Sequence, residues 1–328
     1  MKFRTEITIP EFPFSVEHGD RILTLGSCFS AHMAERMHQS LFHVADNPFG
    51  TSYNPISLAQ QLTRIQSGEE YRLEELRLHN ELYFSFDHYT AFSHPDAETM
   101  LSSVNDALKR STQSLPQAKV LMLTLGTAHA WKHRNLNQIV NNCHRLPGGE
   151  FKRILLTVPE IAHALQTSIN NLTSQNPDLN VLLTVSPVRH LRDGAIPNQR
   201  SKAILLVAAH ELAESLDNVH YFPSYELMMD DLRDYRFYAS DLLHPSNQAV
   251  EYIWQKFSGA VLSKSAIDAL PKMQQLVRFL DHRPVNPQSS AHRASVERMQ
   301  AELLSAKERI PQANWSWLEA ALKKQGEY

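Results

Sequence analysis

The residues needed for acyl transfer occur here at spacings that one fold could bring together. Gly26-Ser27-Cys28-Phe29 follows an apolar run, Arg21-Ile22-Leu23-Thr24-Leu25, and opens a helical pattern. Far downstream, Asp241-Leu242-Leu243-His244-Pro245 precedes an amphipathic stretch marked by Val250, Ile253, Trp254 and Phe257. A serine hydroxyl is a weak nucleophile until an imidazole takes its proton, and a carboxylate holds that imidazole in the useful tautomer. Three-residue spacing on a compact loop lets Asp241 reach the His244 Nδ1–H and leaves Nε2 for the Ser27 proton. Each residue also has a plain structural role to weigh: Ser27 as a helix N-cap, Asp241 as a turn cap, His244 as a polar loop residue. Cys28 is a rival nucleophile, because a helix N-terminus can lower a thiol pKa. The position of the pair, after the last expected strand, favours Ser27 as nucleophile, His244 as base and Asp241 as its orienter.

Those residues need elements to hold them. Apolar runs at 22–25, 42–45, 119–125, 180–186 and 219–222 lack polar/apolar alternation, as parallel strands covered on both faces do. Helical stripes lie between them: Phe29, Met33, Met37 and Leu41, then Ile161, Leu165, Ile169 and Leu172, then a helix from Ser201 to about Leu216. Thr157-Val158-Pro159-Glu160 reads as a capping box with proline in the first turn. Alternating strands and helices predict a three-layer α/β/α sandwich with a mostly parallel sheet. Ligands of such sheets bind beyond the carboxyl ends of the strands. Ser27 falls there, with the free N–H groups and positive dipole end of the next helix aimed at the site.

Bulk composition narrows the function. The chain has 328 residues, 42% hydrophobic and 20% charged, enough for a globular core. A net charge of −3 gives no electrostatic case for nucleic acid or an anionic membrane. The N-terminus lacks an apolar signal-peptide core, and no apolar run approaches the ~18–20 residues that span a bilayer. Two cysteines, Cys28 and Cys143, make no disulfide framework. A cytoplasmic protein is expected. Asn142-Cys143-His144 offers too few ligands for a structural zinc site. No metal and no cofactor is called for.

Other segments read less sharply. Leu76–Phe86 alternates around His79-Asn80-Glu81 and predicts an inserted hairpin near 76–86. Asn47–Pro55 is a turn-rich loop on the expected active face, which makes Gly50 and Asn54 candidates. Asp87-His88 and His94 could line the pocket or hydrogen-bond a loop, and the second role is favoured. Arg189-His190 follows the fourth strand, where Arg189 could hold a substrate carboxylate or phosphate or form a structural salt bridge. Tyr225–Tyr238 reads as a solvated helix with Met and Leu on its buried side. Beyond about Phe257, helices over 270–280 and 291–307 with a Pro/Asn/Ser linker at 283–290 form a C-terminal appendage (261–328), docked by Trp315, Trp317 and Leu318; the hydrolase unit is placed at 1–260.

Gly26-Ser27-Cys28-Phe29-Ser30 resembles the signature of the GSCFA-domain family, with serine replacing the final alanine. That family belongs with the SGNH/GDSL-type hydrolases. Asn47-Pro48-Phe49-Gly50-Thr51-Ser52-Tyr53-Asn54-Pro55, Leu125-Gly126-Thr127-Ala128-His129-Ala130-Trp131, Asn142-Cys143-His144 and Ser186-Pro187-Val188-Arg189-His190 resemble it too, over roughly residues 20–260. The resemblance implies a flavodoxin-like sheet and ester hydrolysis, with Ser27 in the first block, Gly50 in the second and Asp241/His244 in the last. It also implies an oxyanion hole built from the serine N–H, a glycine N–H and an asparagine. The asparagine position is Ala128 here, a departure. Losing a donor costs ~2.7–4 kcal/mol, so a substitute is expected from Thr127, Asn54 or Asn142; Arg189, His129 and Asn142 are candidate substrate contacts. The expected activity is serine-dependent cleavage of an acyl ester, small molecule or glycan, with an O-acetyl carbohydrate as one candidate. The alternatives are an acyltransferase using the same site and an inactive binding or scaffold protein.

Overall fold

In the computed structural model, the described residues are 4–280, 285–286 and 288–326. Part of the linker expected at 283–290 lies outside them. Strands run over β1 (Arg21–Gly26), β2 (His43–Asp46), β3 (Arg77–His79), β4 (Leu82–Phe84), β5 (Ala118–Leu125), β6 (His129–His133), β7 (Gln138–Val140), β8 (Phe151–Leu155), β9 (Asn180–Val185) and β10 (Val219–Tyr221). Helices run over α1 (Cys28–Gln39), α2 (Pro55–Ser67), α3 (Ala97–Ser114), α4 (Val158–Gln175), α5 (Ala195–Ser215), α6 (Ser224–Glu226), α7 (Asn247–Val261), α8 (Lys264–Leu280), α9 (Ser290–Arg309) and α10 (Ser316–Gly326).

The five apolar runs form one parallel sheet in the order β10-β9-β5-β1-β2. Successive residues of each strand feed opposite layers. Leu23, Leu25, Leu121, Leu123 and Leu183 pack with α2, α4 and α5, while Ile22, Val120, Met122 and Leu182 pack with α1 and α7. Burial on both faces is why the strands read as continuous apolar runs. The strand order reverses between β1 and β5, and in open parallel sheets the carboxyl ends at such a reversal are where ligands bind. Gly26-Ser27 and Gly126-Thr127 occupy those ends.

The hairpin forms as β3–β4, and both turn residues, Asn80 and Glu81, take positive φ. The capping box at Thr157 and Glu160 is made. Three expectations change. The α1 helix ends at Gln39, so Leu41 lies outside it, at φ 62, buried against the C-terminal helices. The helix expected from Ser201 begins at Ala195, with Pro197 tolerated in its first turns. The segment at 225–238 is not one solvated helix. It breaks into α6, a wide π turn over Leu227–Asp231 and a 3₁₀ turn at Tyr235–Phe237, and Leu227, Met228 and Leu232 are buried. An antiparallel sheet, β7-β6-β8, was not expected. Its short, charged strands carry little alternation. Trp315 and Leu318 dock against α8 and α9, as the tail's aromatic residues suggested.

Candidate active site

Ser27 sits between β1 and α1, on a turn that needs glycine before it. Gly26 has φ 151, and a Cβ there would lie 2.4 Å from the Thr124 carbonyl oxygen. Ser27 occupies the N-cap position of α1, yet its side chain makes no capping bond. Its Oγ is fully buried and has no hydrogen-bond partner. A capping serine would direct that oxygen to the helix amides. Ser27 therefore does not do the ordinary job its position allows.

The Asp241–His244 pair is assembled. The His244 Nδ1–H donates to Asp241 Oδ2 at 2.6 Å. Asp241 Oδ1 accepts from the N–H groups of Leu243 (2.9 Å) and His244 (3.0 Å). Those two amides, then the imidazole, hold the Asp241 carboxyl down at about 2. The loop is tight: Leu242 takes φ 58, the Ala239 N–H donates to the His244 carbonyl at 2.8 Å, and the Arg189 N–H donates to the Leu243 carbonyl at 3.1 Å. That last bond ties the loop to the carboxyl end of β9. No hydrogen bond joins Ser27 Oγ to His244. The structure thus brings Asp241 and His244 together and leaves Ser27 Oγ unbonded to either. Burial pushes the Cys28 thiol up, and the Asp241 carboxylate adds to that rise. A raised thiol is a poor thiolate, which weakens the case for Cys28 as nucleophile.

The expected oxyanion donors are engaged elsewhere. The Ser27 N–H donates to the Thr124 carbonyl at 3.3 Å, and the Gly50 N–H donates to the Asn47 carbonyl at 2.7 Å. Asn54 caps α2: its Oδ1 accepts from the Ser57 N–H and its Nδ2 donates to Ser57 Oγ, each at 2.9 Å. Asn142 Nδ2 donates to Thr90 Oγ1 and its Oδ1 accepts from the His144 N–H, which keeps it with the β4–α3 loops. Thr127 stands at the carboxyl end of β5. Its Oγ1 shares a hydrogen bond with Ser201 Oγ at 3.0 Å and accepts from the His129 N–H at 3.1 Å. His129 begins β6, paired with Leu155 of β8. Among the described residues, no three His, Cys, Asp or Glu side chains gather as a metal cluster.

Two residues beside the site carry roles not assigned from sequence. Lys202, on α5, is fully buried, and its Nζ donates to the carbonyls of Gly126 (2.7 Å) and Ser186 (2.6 Å). It clamps the ends of β5 and β9 together. Burial, with the Arg189 charge, brings it down to about 7. The only sequence signal was a lysine within an otherwise apolar stripe, Leu205 to Leu212 continuing its face. His190 is held near 4 by burial, then by the charges of Lys202 and His244, and stands edge-on to Tyr53. It is a neutral imidazole at neutral pH.

The GSCFA family model matches residues 21–257. Among solved structures, the chain is similar to a carbohydrate esterase of family 3 from Talaromyces cellulolyticus, at 8% identity and TM-score 0.34, covering 79% of this chain and 99% of that one. It is also similar to an acetyl xylan esterase from the rumen bacterium Butyrivibrio proteoclasticus, at 9% identity and TM-score 0.35, covering 74% of this chain and 65% of that one. No curated protein matches the chain. No helix of the described residues is long and apolar enough to cross a membrane.

Proposed function

The chain belongs to the GSCFA family, and from its site we propose that it is a serine-dependent esterase of the SGNH type. The observation that carries this reading is the Asp241–His244 pair at 2.6 Å, on a loop tied to the active end of the sheet. Ser27 Oγ attacks the ester carbonyl and His244 Nε2 takes its proton. Asp241 holds the imidazole and stabilises the imidazolium. The tetrahedral intermediate collapses as His244 returns that proton to the departing alcohol. Water, activated by the same imidazole, then releases the acid from the acyl-serine. With the Ser27 and Gly50 amides engaged, the oxyanion falls to the first turn of α1, where the helix presents the positive end of its dipole. Catalytic hydrogen bonds are often loose before substrate arrives and tighten in the complex. The open Ser27–His244 link fits that behaviour. The acyl-serine could equally pass to an acceptor hydroxyl, making the enzyme an acyltransferase. An activated ester tests the reading. Purified protein should give a burst of alcohol equal to its own concentration, then steady turnover. Both should be lost in Ser27→Ala and His244→Ala. Equal turnover in both variants refutes the reading.

One observation favours a second reading, a binding protein that kept the fold without the chemistry: Ser27 is fully buried and not bonded to His244. Under that reading the burst is absent from the wild type as well.

A further inference from the structure

Beside the dyad loop lies a cavity of about 390 Å³, lined among others by Arg189, Met228, Met229, Tyr235, Tyr238 and Leu242. Leu242 stands between the two dyad residues, so the cavity opens against the loop that carries His244. Its volume suits a small organic ligand. Its walls are mainly apolar and aromatic. The exposed Tyr235 ring lies 6.2 Å from that of Tyr238.

Among the described residues, one charge at the cavity is unanswered. Arg189 Nη1 donates to the Met229 thioether sulfur at 3.1 Å, and its buried Nε has no partner. A thioether is a weak acceptor for a guanidinium, whose fork fits a carboxylate or phosphate. The other charged side chains at the cavity are answered nearby. Arg233 pairs with Asp230 at 2.9 Å, and Asp234 accepts the Arg236 N–H at 2.9 Å and faces its guanidinium at 3.8 Å. The structural salt bridge that Arg189 could have formed is not among the ion pairs of the described residues. Its charge instead reaches Lys202 and Tyr238, helping to hold the one down and opposing the rise that burial causes in the other.

We propose that this cavity is a substrate subsite in which Arg189 binds an anionic group, a carboxylate or a phosphate, carried by the ester. The assignment rests on the esterase reading, which makes the cavity an extension of the reacting site. Arg189 is then a specificity residue: its backbone N–H fixes the dyad loop while its side chain selects the substrate.

Calorimetry tests the subsite without turnover. The probes are monomethyl succinate, methyl phosphate and neutral methyl butyrate. Wild-type protein should bind at least one anion saturably, and binding should weaken about tenfold or more in Arg189→Met and less in Arg189→Lys. The better anion identifies the group. Absence of saturable anion binding by the wild type, or binding unaltered in Arg189→Met, overturns the proposal. In parallel, the ratio of kcat/KM for 4-nitrophenyl hemisuccinate to that for 4-nitrophenyl butyrate should fall in Arg189→Met if the group is a carboxylate. Failure to hydrolyse either ester would strike the esterase reading, with the wild-type calorimetry still deciding the subsite.

Discussion

Ser27 keeps a buried hydroxyl that bonds to nothing, and stability gains nothing from it. Burying an unpaired polar group costs about 1–3 kcal/mol. A true N-cap serine replaced by alanine would destabilise the protein by about 1 kcal/mol. Because the Ser27 side chain makes no cap bond, Ser27→Ala is expected to leave stability unchanged or raise it by up to about 1 kcal/mol, while removing turnover. Urea unfolding reads the sign. A loss of about 1 kcal/mol or more would mean that the serine is a structural cap. Asp241 and His244 were legible in sequence because their three-residue spacing places them on one loop. The engagement of Gly50, Asn54 and Asn142 was not legible. An asparagine in a polar loop looks the same whether it caps a helix or faces a ligand, and only the position of Ser57 or Thr90 decides.

At the scale of elements, the site depends on how closely β1 and β5 approach where the strand order reverses. Gly26 permits that approach, since any Cβ would meet the Thr124 backbone at 2.4 Å. The replacement Gly26→Ala combines this overlap with an unfavourable φ, and strained backbone positions cost of order 1–3 kcal/mol before overlap is counted. We expect a stability loss of at least about 2 kcal/mol and a larger fractional loss in kcat than in KM, because the turn aims Ser27. A variant as stable and active as wild type would contradict the account of this turn. The sheet strands were legible because burial on both faces wrote them as apolar runs. The antiparallel β6–β8 sheet was hidden because its strands are short and carry Lys132, His133, Lys152 and Arg153. The π turn at Leu227–Asp231 was hidden for a different reason: a helical stripe does not report the width of a turn.

The whole molecule has an acid-sensitive histidine set. Burial lowers His18, His38, His88, His144, His190 and His220, with His88 reaching about 3 and His190 about 4. In the unfolded chain each titrates near 6.5. Below that value the unfolded state binds more protons than the folded one, so stability falls as pH drops. The buried carboxyls Asp46, Asp87 and Glu226 are raised by burial and oppose this fall between their unfolded and folded values. Six lowered histidines outnumber the three raised carboxyls, so the urea midpoint should fall between about pH 7 and 5. The His88→Phe variant fits the ring of Phe49, Tyr71 and Phe92 around that side chain and should flatten the fall. A midpoint that is constant or rises on acidification would contradict this assignment.

Covalent trapping addresses the chemistry itself. Wild-type protein treated with a fluorophosphonate should gain one phosphonyl group, located by peptide mass spectrometry on Ser27. The adduct should be missing from Ser27→Ala and form far more slowly in His244→Ala. A protein that stays unlabelled, or that carries the group on Cys28 or another residue, would contradict a nucleophile positioned at the end of β1 and served by the Asp241–His244 pair.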